Sequence, residues 1–259
     1  YCFRGGMRSR ISQQWIFEHT GVQYPRIKGG YKALRRFLLQ ELEQAAQQIQ
    51  PFVLGGRTGV GKTLLLRRIR HSLDLEAIYR HRGSAFGRHV VPQPGQIDIE
   101  NTLAIALLKL RNQQIDKLVV EDEAPNIGSR SVPRSLLHAM QQAPLVLLEA
   151  PLEERVDIVF AEYIPQALAE HQQLLGEEQG FTSWAGQLQN ALEKIQRRLG
   201  GQRYQALKTI LDDALHRQQA DGSQQHHKDW IRVLLRDYYD PMYDYQLGKK
   251  AERIVFRGE

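Results

Sequence analysis

The sequence predicts an α/β protein: a phosphate-loop (P-loop) domain with a parallel sheet covered by helices on both faces, preceded by a short glycine-rich unit and followed by an α-helical C-terminal region. Three observations carry that prediction. Gly56-Arg57-Thr58-Gly59-Val60-Gly61-Lys62-Thr63 matches G-x-x-x-x-G-K-[ST] in full, directly behind the apolar run Phe52-Val53-Leu54 and ahead of Leu64-Leu65-Leu66. Short apolar runs alternate with helical periodicity as far as Leu148, the pattern of buried parallel strands. From Leu152 the periodicity is helical, with no convincing strand until the last few residues.

Residues 1–38 read as a first unit. A loop at 2–9 leads into a helical pattern over 10–19 through Ile11, Trp15 and Ile16, which Gly21 ends. After a turn-rich exit, 31–49 is a long helical pattern with Leu34, Phe37, Leu38 and Leu42 on one face. Its second half, 39–50, reads as a linker helix into the strand at 52–54. The P-loop domain then spans 51–165. It runs through a helix at 61–73, a short strand at 75–79 and a glycine-rich loop at 81–95. A helix at 99–111, a strand at 117–121 ending in acids, a helix at 132–142 and a strand at 145–148 complete it. Residues 166–259 form the helical C-terminal region, with patterns at 185–199, 201–218 and 225–238.

Bulk composition narrows the classes. At 42% hydrophobic and 25% charged the chain can build a core. No uncharged apolar run approaches the roughly 20 residues needed to span a bilayer, so no membrane partner is expected. A single cysteine, Cys2, excludes an internal disulfide framework and a Cys-built zinc site, and a reducing cytoplasm is the natural setting. A net charge of +6 suits a polyanionic partner and equally a merely basic enzyme.

The P-loop glycines allow the backbone to fold around an oxyanion with its N–H groups pointing inward. Lys62 would reach the outer phosphate, and Thr63 would offer its hydroxyl to Mg²⁺. A carboxylate at the end of the 117–121 strand would support the metal. Glu121 and Asp122 compete for that role because consecutive strand residues face opposite ways, and Asp122 is the one paired with Thr63 here. In the loop at 81–95, His81, Arg82 and Ser84 offer donors to an anion and Phe86 an apolar face, unless the loop is simply solvated. Arg155 stands where P-loop kinases often carry a helix arginine, and an ordinary surface role suits it as well.

Cys2 is a second centre. The loop through Arg4, Gly5, Gly6 and Arg8 opens a helix, so backbone N–H groups, the helix dipole and two arginines favour a thiolate, a persulfide or a perselenide. This C-x-x-x-x-x-R loop, with Lys28-Gly-Gly-Tyr-Lys-Ala33 behind it, resembles the last third of a rhodanese domain whose earlier strands are missing from the sequence. Joined to a P-loop domain, and with His81-Arg-Gly-Ser-Ala-Phe-Gly87, Pro92-Gln-Pro94 and Tyr238-Tyr-Asp-Pro-Met-Tyr243, the chain resembles the tRNA 2-selenouridine synthases along essentially its whole length.

That resemblance implies a two-stage transfer on the wobble 2-thiouridine of tRNA. Geranyl diphosphate first alkylates the sulfur, and selenium from selenophosphate then replaces the geranylthio group. Loop 56–63 would hold the diphosphate, Cys2 would carry or orient selenium, and a selenophosphate-supplying enzyme would be a partner. For RNA, Lys194, Arg197, Arg198, Arg203 and Lys208 are candidate contacts, and Tyr238, Tyr239, Tyr243 and Tyr245 are candidate stacking or packing aromatics. Solvated charges and a packing cluster would explain both sets as well. From the residues alone, an ATP-dependent P-loop kinase or ATPase fused to a sulfurtransferase is the rival reading.

Overall fold

The computed structural model describes residues 1–259. The chain opens with α1 (Met7–Thr20) and α2 (Gly30–Gln48), then β1 (Gln50–Gly56), α3 (Lys62–Leu66), β2 (Ser72–Leu73) and α4 (Leu75–Tyr79). Next come α5 (Gln96–Asn112), β3 (Lys117–Glu121), a small hairpin of β4 (Asn126–Ile127) and β5 (Arg130–Ser131), α6 (Arg134–Gln142) and β6 (Leu145–Leu148). The helical region holds α7 (Leu152–Ala161), α8 (Ala167–Leu175), α9 (Glu177–Lys194), α10 (Gln196–Leu199), α11 (Gly201–Asp221), α12 (His227–Leu234) and α13 (Asp240–Gly248), and β7 (Ile254–Gly258) follows. None of these helices is long and apolar enough to cross a membrane.

The sheet has five strands in the order β2-β3-β1-β6-β7, every pair parallel. From β1 the chain builds outward on one side through β2 and β3, then returns to the other side for β6. That reversal makes the end of β1 the topological switch point, where ligands of open α/β sheets bind. The P-loop leaves β1 there.

Strand side chains alternate between two apolar layers. Val53, Val120 and Leu145 face a core built with Leu38 and Leu42 of α2, Ile99 and Leu103 of α5, and Leu136 and Met140 of α6. Leu54 and Leu148 face the opposite side, against Leu66 of α3. A separate core centred on Trp184, Leu211 and Trp230 holds the helical region together.

Three expectations change. The stretch 39–50 does more than link: as far as Gln48 it is the inner half of the 19-residue α2, whose buried face and Arg35, bonded to Glu100 and to Asn101 at 2.9 Å, make it one of the sheet-covering helices. The stretch 75–79 is a helix, because Asp74 caps it by accepting from the Ala77 N–H at 2.8 Å; the strand is the pair Ser72–Leu73 just before. The helix after the P-loop is one short turn, 62–66, which continues as i→i+3 bonds from Arg68 and Ile69 rather than as α-helix.

Candidate functional site

The P-loop is shaped by glycines that no side chain could replace. Gly59 has φ +82° and a Cβ there would stand 2.7 Å from the Arg155 carbonyl and 2.8 Å from Val159. The side chains of Arg57 and Val60 point away from the loop's concave face. Arg57 donates to Asp244 at 2.9 and 2.6 Å, and Val60 packs on the Leu54–Leu66–Leu148 cluster. What those two positions offer an anion is therefore backbone. Lys62 Nζ lies over the loop, 3.1 Å from the Gly56 carbonyl and 3.3 Å from that of Arg57.

Thr63 Oγ1 lies 2.9 Å from Glu121 Oε1 and 3.0 Å from Glu76 Oε2. One hydroxyl proton can satisfy only one of them, so the other carboxylate needs a proton or a cation. Glu123 completes the group, with one oxygen from each of the three acids lying within 4.8 Å of the others. Burial first, and repulsion from Glu121 and Glu123 second, push Glu76 up to about 8. Burial and Glu121 push Glu123 up to about 7. Three crowded carboxylates beside a hydroxyl are the oxygen donor set of a hard divalent ion, and they fit Mg²⁺.

Thr63 faces Glu121, which is fully buried, while Asp122, also on the wall of the P-loop pocket, is held by Lys250 at 2.7 and 2.6 Å. Glu76 escaped sequence reasoning because its segment read as a strand, although the Asp74 cap signal was there to be found. Glu123 lies two residues past the strand and was not among the carboxylates weighed for the metal.

The loop at 81–95 splits into parts with different fates. Arg82 and Ser84 line the pocket over the P-loop, together with Glu162 and Tyr163. Arg82 is buried, donates to Glu170 at 2.8 Å, and leaves its Nη1 without a partner. An orphaned guanidinium N–H beside a P-loop fits an anionic oxygen. Ser84 Oγ lies 2.8 Å from the Tyr163 hydroxyl. His81 is not among the residues lining that pocket: it bridges to Arg88, and burial lowers it to about 4. Phe86 stacks on Trp230 at 5.5 Å inside the helical core, beside a void of only 10 Å³, so it offers no surface to a prenyl chain.

A strap from the C-terminal region crosses the site. Asp240 takes a bidentate pair from Arg155, 2.7 Å in each arm, and the same guanidinium reaches the Thr58 carbonyl at 3.4 Å. Arg155 is thus buried and holds the loop's shape rather than facing solvent. Tyr243 brings its ring 5.9 Å from Lys62 Nζ. The narrow pocket over the P-loop, 60 Å³, shares walls with two larger cavities: one of 630 Å³, mostly polar but with an apolar patch of Val90, Val91 and Leu174, and one of 470 Å³.

The Cys2 loop stands apart, since no residue before Thr58 lines the P-loop pocket. Gly30 packs so tightly on Cys2, Arg4 and Gly5 that any Cβ would collide with their backbone. Ser9, 3.4 Å from Sγ, and the backbone N–H groups of Ser9, Gly6 and Arg4 lower the thiol to about 6. The expected electrostatic help from Arg4 and Arg8 is replaced by these hydrogen bonds; both side chains are exposed, and Ser9 is the residue sequence reasoning missed. Lys194, Arg197, Arg198 and Arg203 are all exposed on α9 to α11, and only Arg198 reaches the rim of the 470 Å³ cavity.

The family model described as tRNA 2-selenouridine synthase AAA domain matches residues 49–259. A tRNA 2-selenouridine synthase of Hahella chejuensis is 53% identical over 100% of this chain and 68% of its own length. Those of Marinobacter nauticus and Bordetella bronchiseptica are 48% and 50% identical, again over the whole chain and 70% of their own lengths. No solved structure matches the chain. By the extent and level of these matches, the chain belongs to the tRNA 2-selenouridine synthase family.

Proposed function

We propose that this protein is a transferase that makes 2-selenouridine in tRNA, with the P-loop pocket as the seat of a prenyl diphosphate and Cys2 as the selenium-handling group. The observation that carries the reading is Arg82, whose Nη1 has no partner and which lines both the P-loop pocket and the adjoining, partly apolar cavity of 630 Å³. That pairing suits a diphosphate joined to a hydrocarbon chain. The tRNA substrate follows from the name of the relatives, and selenophosphate as the selenium source from the resemblance. Geranyl diphosphate as the prenyl donor rests on the resemblance and on this fit.

In the first stage the sulfur of 2-thiouridine attacks C1 of the geranyl group. An S–C bond forms, the C–O bond breaks, and the electron pair leaves with the diphosphate. Lys62, the loop amides and Arg82 stabilise that departing charge without reorganising. Glu76, Glu121, Glu123 and Thr63 would hold Mg²⁺, which would neutralise further charge on the leaving oxygens. In the second stage the selenium of selenophosphate, delivered by a separate supplying enzyme, attacks C2 of the base: a C–Se bond forms, the C–S bond breaks as the geranylthiolate leaves, and water then cleaves the P–Se bond to release phosphate. The half-buried, acidified Cys2 is suited to carry or orient that selenium.

The test is mass spectrometry of nucleosides from thiolated tRNA after incubation with geranyl diphosphate, then with selenophosphate. A geranylthio nucleoside followed by its seleno counterpart is the expected sequence. Unchanged tRNA with steady ATP hydrolysis would instead establish the kinase or ATPase alternative, which the family membership does not favour.

A further inference from the structure

The geometry points to a seat for one unstacked nucleotide of single-stranded RNA in the 470 Å³ cavity between the 122–125 turn and the C-terminal strap. The inference rests on the tRNA-modifying reading and adds where the reacting base enters. This cavity shares Gly83, Glu123 and Tyr243 with the P-loop pocket, so a base placed in it lies next to a group tethered to an anchored diphosphate.

Its wall suits a base. A π turn over Leu235–Tyr239 widens the helix just before α13, which brings Tyr238, Met242 and Tyr243 onto one half-buried face lining the cavity. Flat phenol rings and a thioether are what single-stranded recognition uses to hold bases of any sequence.

Its charge suits a phosphate backbone. Four cations, Arg198, Lys249, Lys250 and Arg253, line it against two carboxylates, Asp122 and Glu123. Lys250 is taken by Asp122, and Arg253 donates to the Ala143 and Met140 carbonyls at 2.8 and 2.6 Å. Arg198 at the rim, and Lys249, which lies 4.2 Å over the exposed Tyr245 ring, are left facing solvent. The 630 Å³ cavity on the far side balances Arg67, Arg80 and Arg82 against Glu76, Glu162 and Glu170 and has no phenol or indole ring, its one imidazole, His89, being held by Glu170 at 2.8 Å. A polyanion with stacking bases is therefore served by the first cavity, and the apolar patch of Val90, Val91 and Leu174 in the second is left to a hydrocarbon chain.

The test uses the full chain and an anticodon stem-loop RNA carrying photoreactive 4-thiouridine at the wobble position. Crosslinks are expected on residues 83–85, 122–125 or 238–249. Crosslinks on 77–82 or 89–91 with 162–174, or elsewhere, would overturn the seat while leaving an RNA substrate intact. Failure to bind the RNA at all would remove the tRNA reading together with the seat. In parallel, Arg198→Glu with Lys249→Glu should weaken the RNA at least about tenfold and reduce the slope of log affinity on log salt by about two. Thermal protection by geranyl diphosphate should stay unchanged in that variant. Undiminished RNA affinity would rule the seat out.

Discussion

Two glycine-built cradles in this molecule look alike in sequence and behave differently in space. The Cys2 loop and the P-loop each turn on glycines at positive φ, and each opens a helix. The first lies open, its thiol acidified by the hydroxyl and amide of Ser9. The second sits at the sheet's switch point beneath Arg82, Glu162, Tyr163 and Tyr243. Walls decide the chemistry each can support. An open cradle can exchange its cargo with another molecule, and a walled one can hold a leaving group out of water, where fixed charges act most strongly.

The sharpest break in that comparison is Cys2→Ala. It should abolish selenium incorporation and leave geranyl transfer at the parent rate, read by nucleoside mass spectrometry at each stage. Loss of both stages together would mean that the two cradles do not divide the labour. In the parent, selenium incorporation should fall as pH drops through about 6, where the thiolate is lost, while geranyl transfer does not follow that titration.

Next in size, Lys62→Ala should cost geranyl transfer about 10²- to 10³-fold, the scale for removing one preorganised charge donor, with selenation of pre-geranylated tRNA spared. Arg82→Ala should follow at about tenfold, seen as weaker thermal protection by geranyl diphosphate. A drop no larger than that of a surface arginine would show that its orphaned N–H does not meet the ligand.

The smallest expected effect concerns the acids. Burial raises Glu76 to about 8 from an ordinary 4.5, so the folded chain holds this proton more tightly than the unfolded chain does. The resulting cost to stability is absent below about pH 4.5 and grows as pH rises toward 8. Glu76→Gln should therefore stabilise the metal-free chain at pH 8 by on the order of 2 kcal/mol and hardly at all at pH 4.5, by thermal or denaturant melts. Mg²⁺ should raise the parent's midpoint more at pH 8 than at pH 6.

The sequence carried the P-loop completely, because its glycines, lysine and threonine are contiguous and local sterics dictate the turn. Strands 117–121 and 145–148 were legible for the same reason: uninterrupted apolar runs bounded by breakers. What stayed hidden was long-range. Nothing local says that Asp240 and Asp244 reach back to Arg155 and Arg57, or that Lys250 takes Asp122 and so leaves Thr63 to Glu121 and Glu76. Phe86 read as a loop residue, and only the packing of α12 shows that it belongs to the helical core. Glu76 was the recoverable miss, since a single capping aspartate separates a strand from a helix at that point.

Strand β7 has a bearing on how the molecule is made. It joins β6 in parallel across roughly a hundred intervening residues, all of them in the helical bundle and strap. During synthesis the flank of β6 must wait, bare, until the bundle has emerged from the ribosome, and such distant pairings are slow to form. Nascent chains halted near residue 250 should be protease-sensitive around the sheet even though the nucleotide-type loop itself was translated long before.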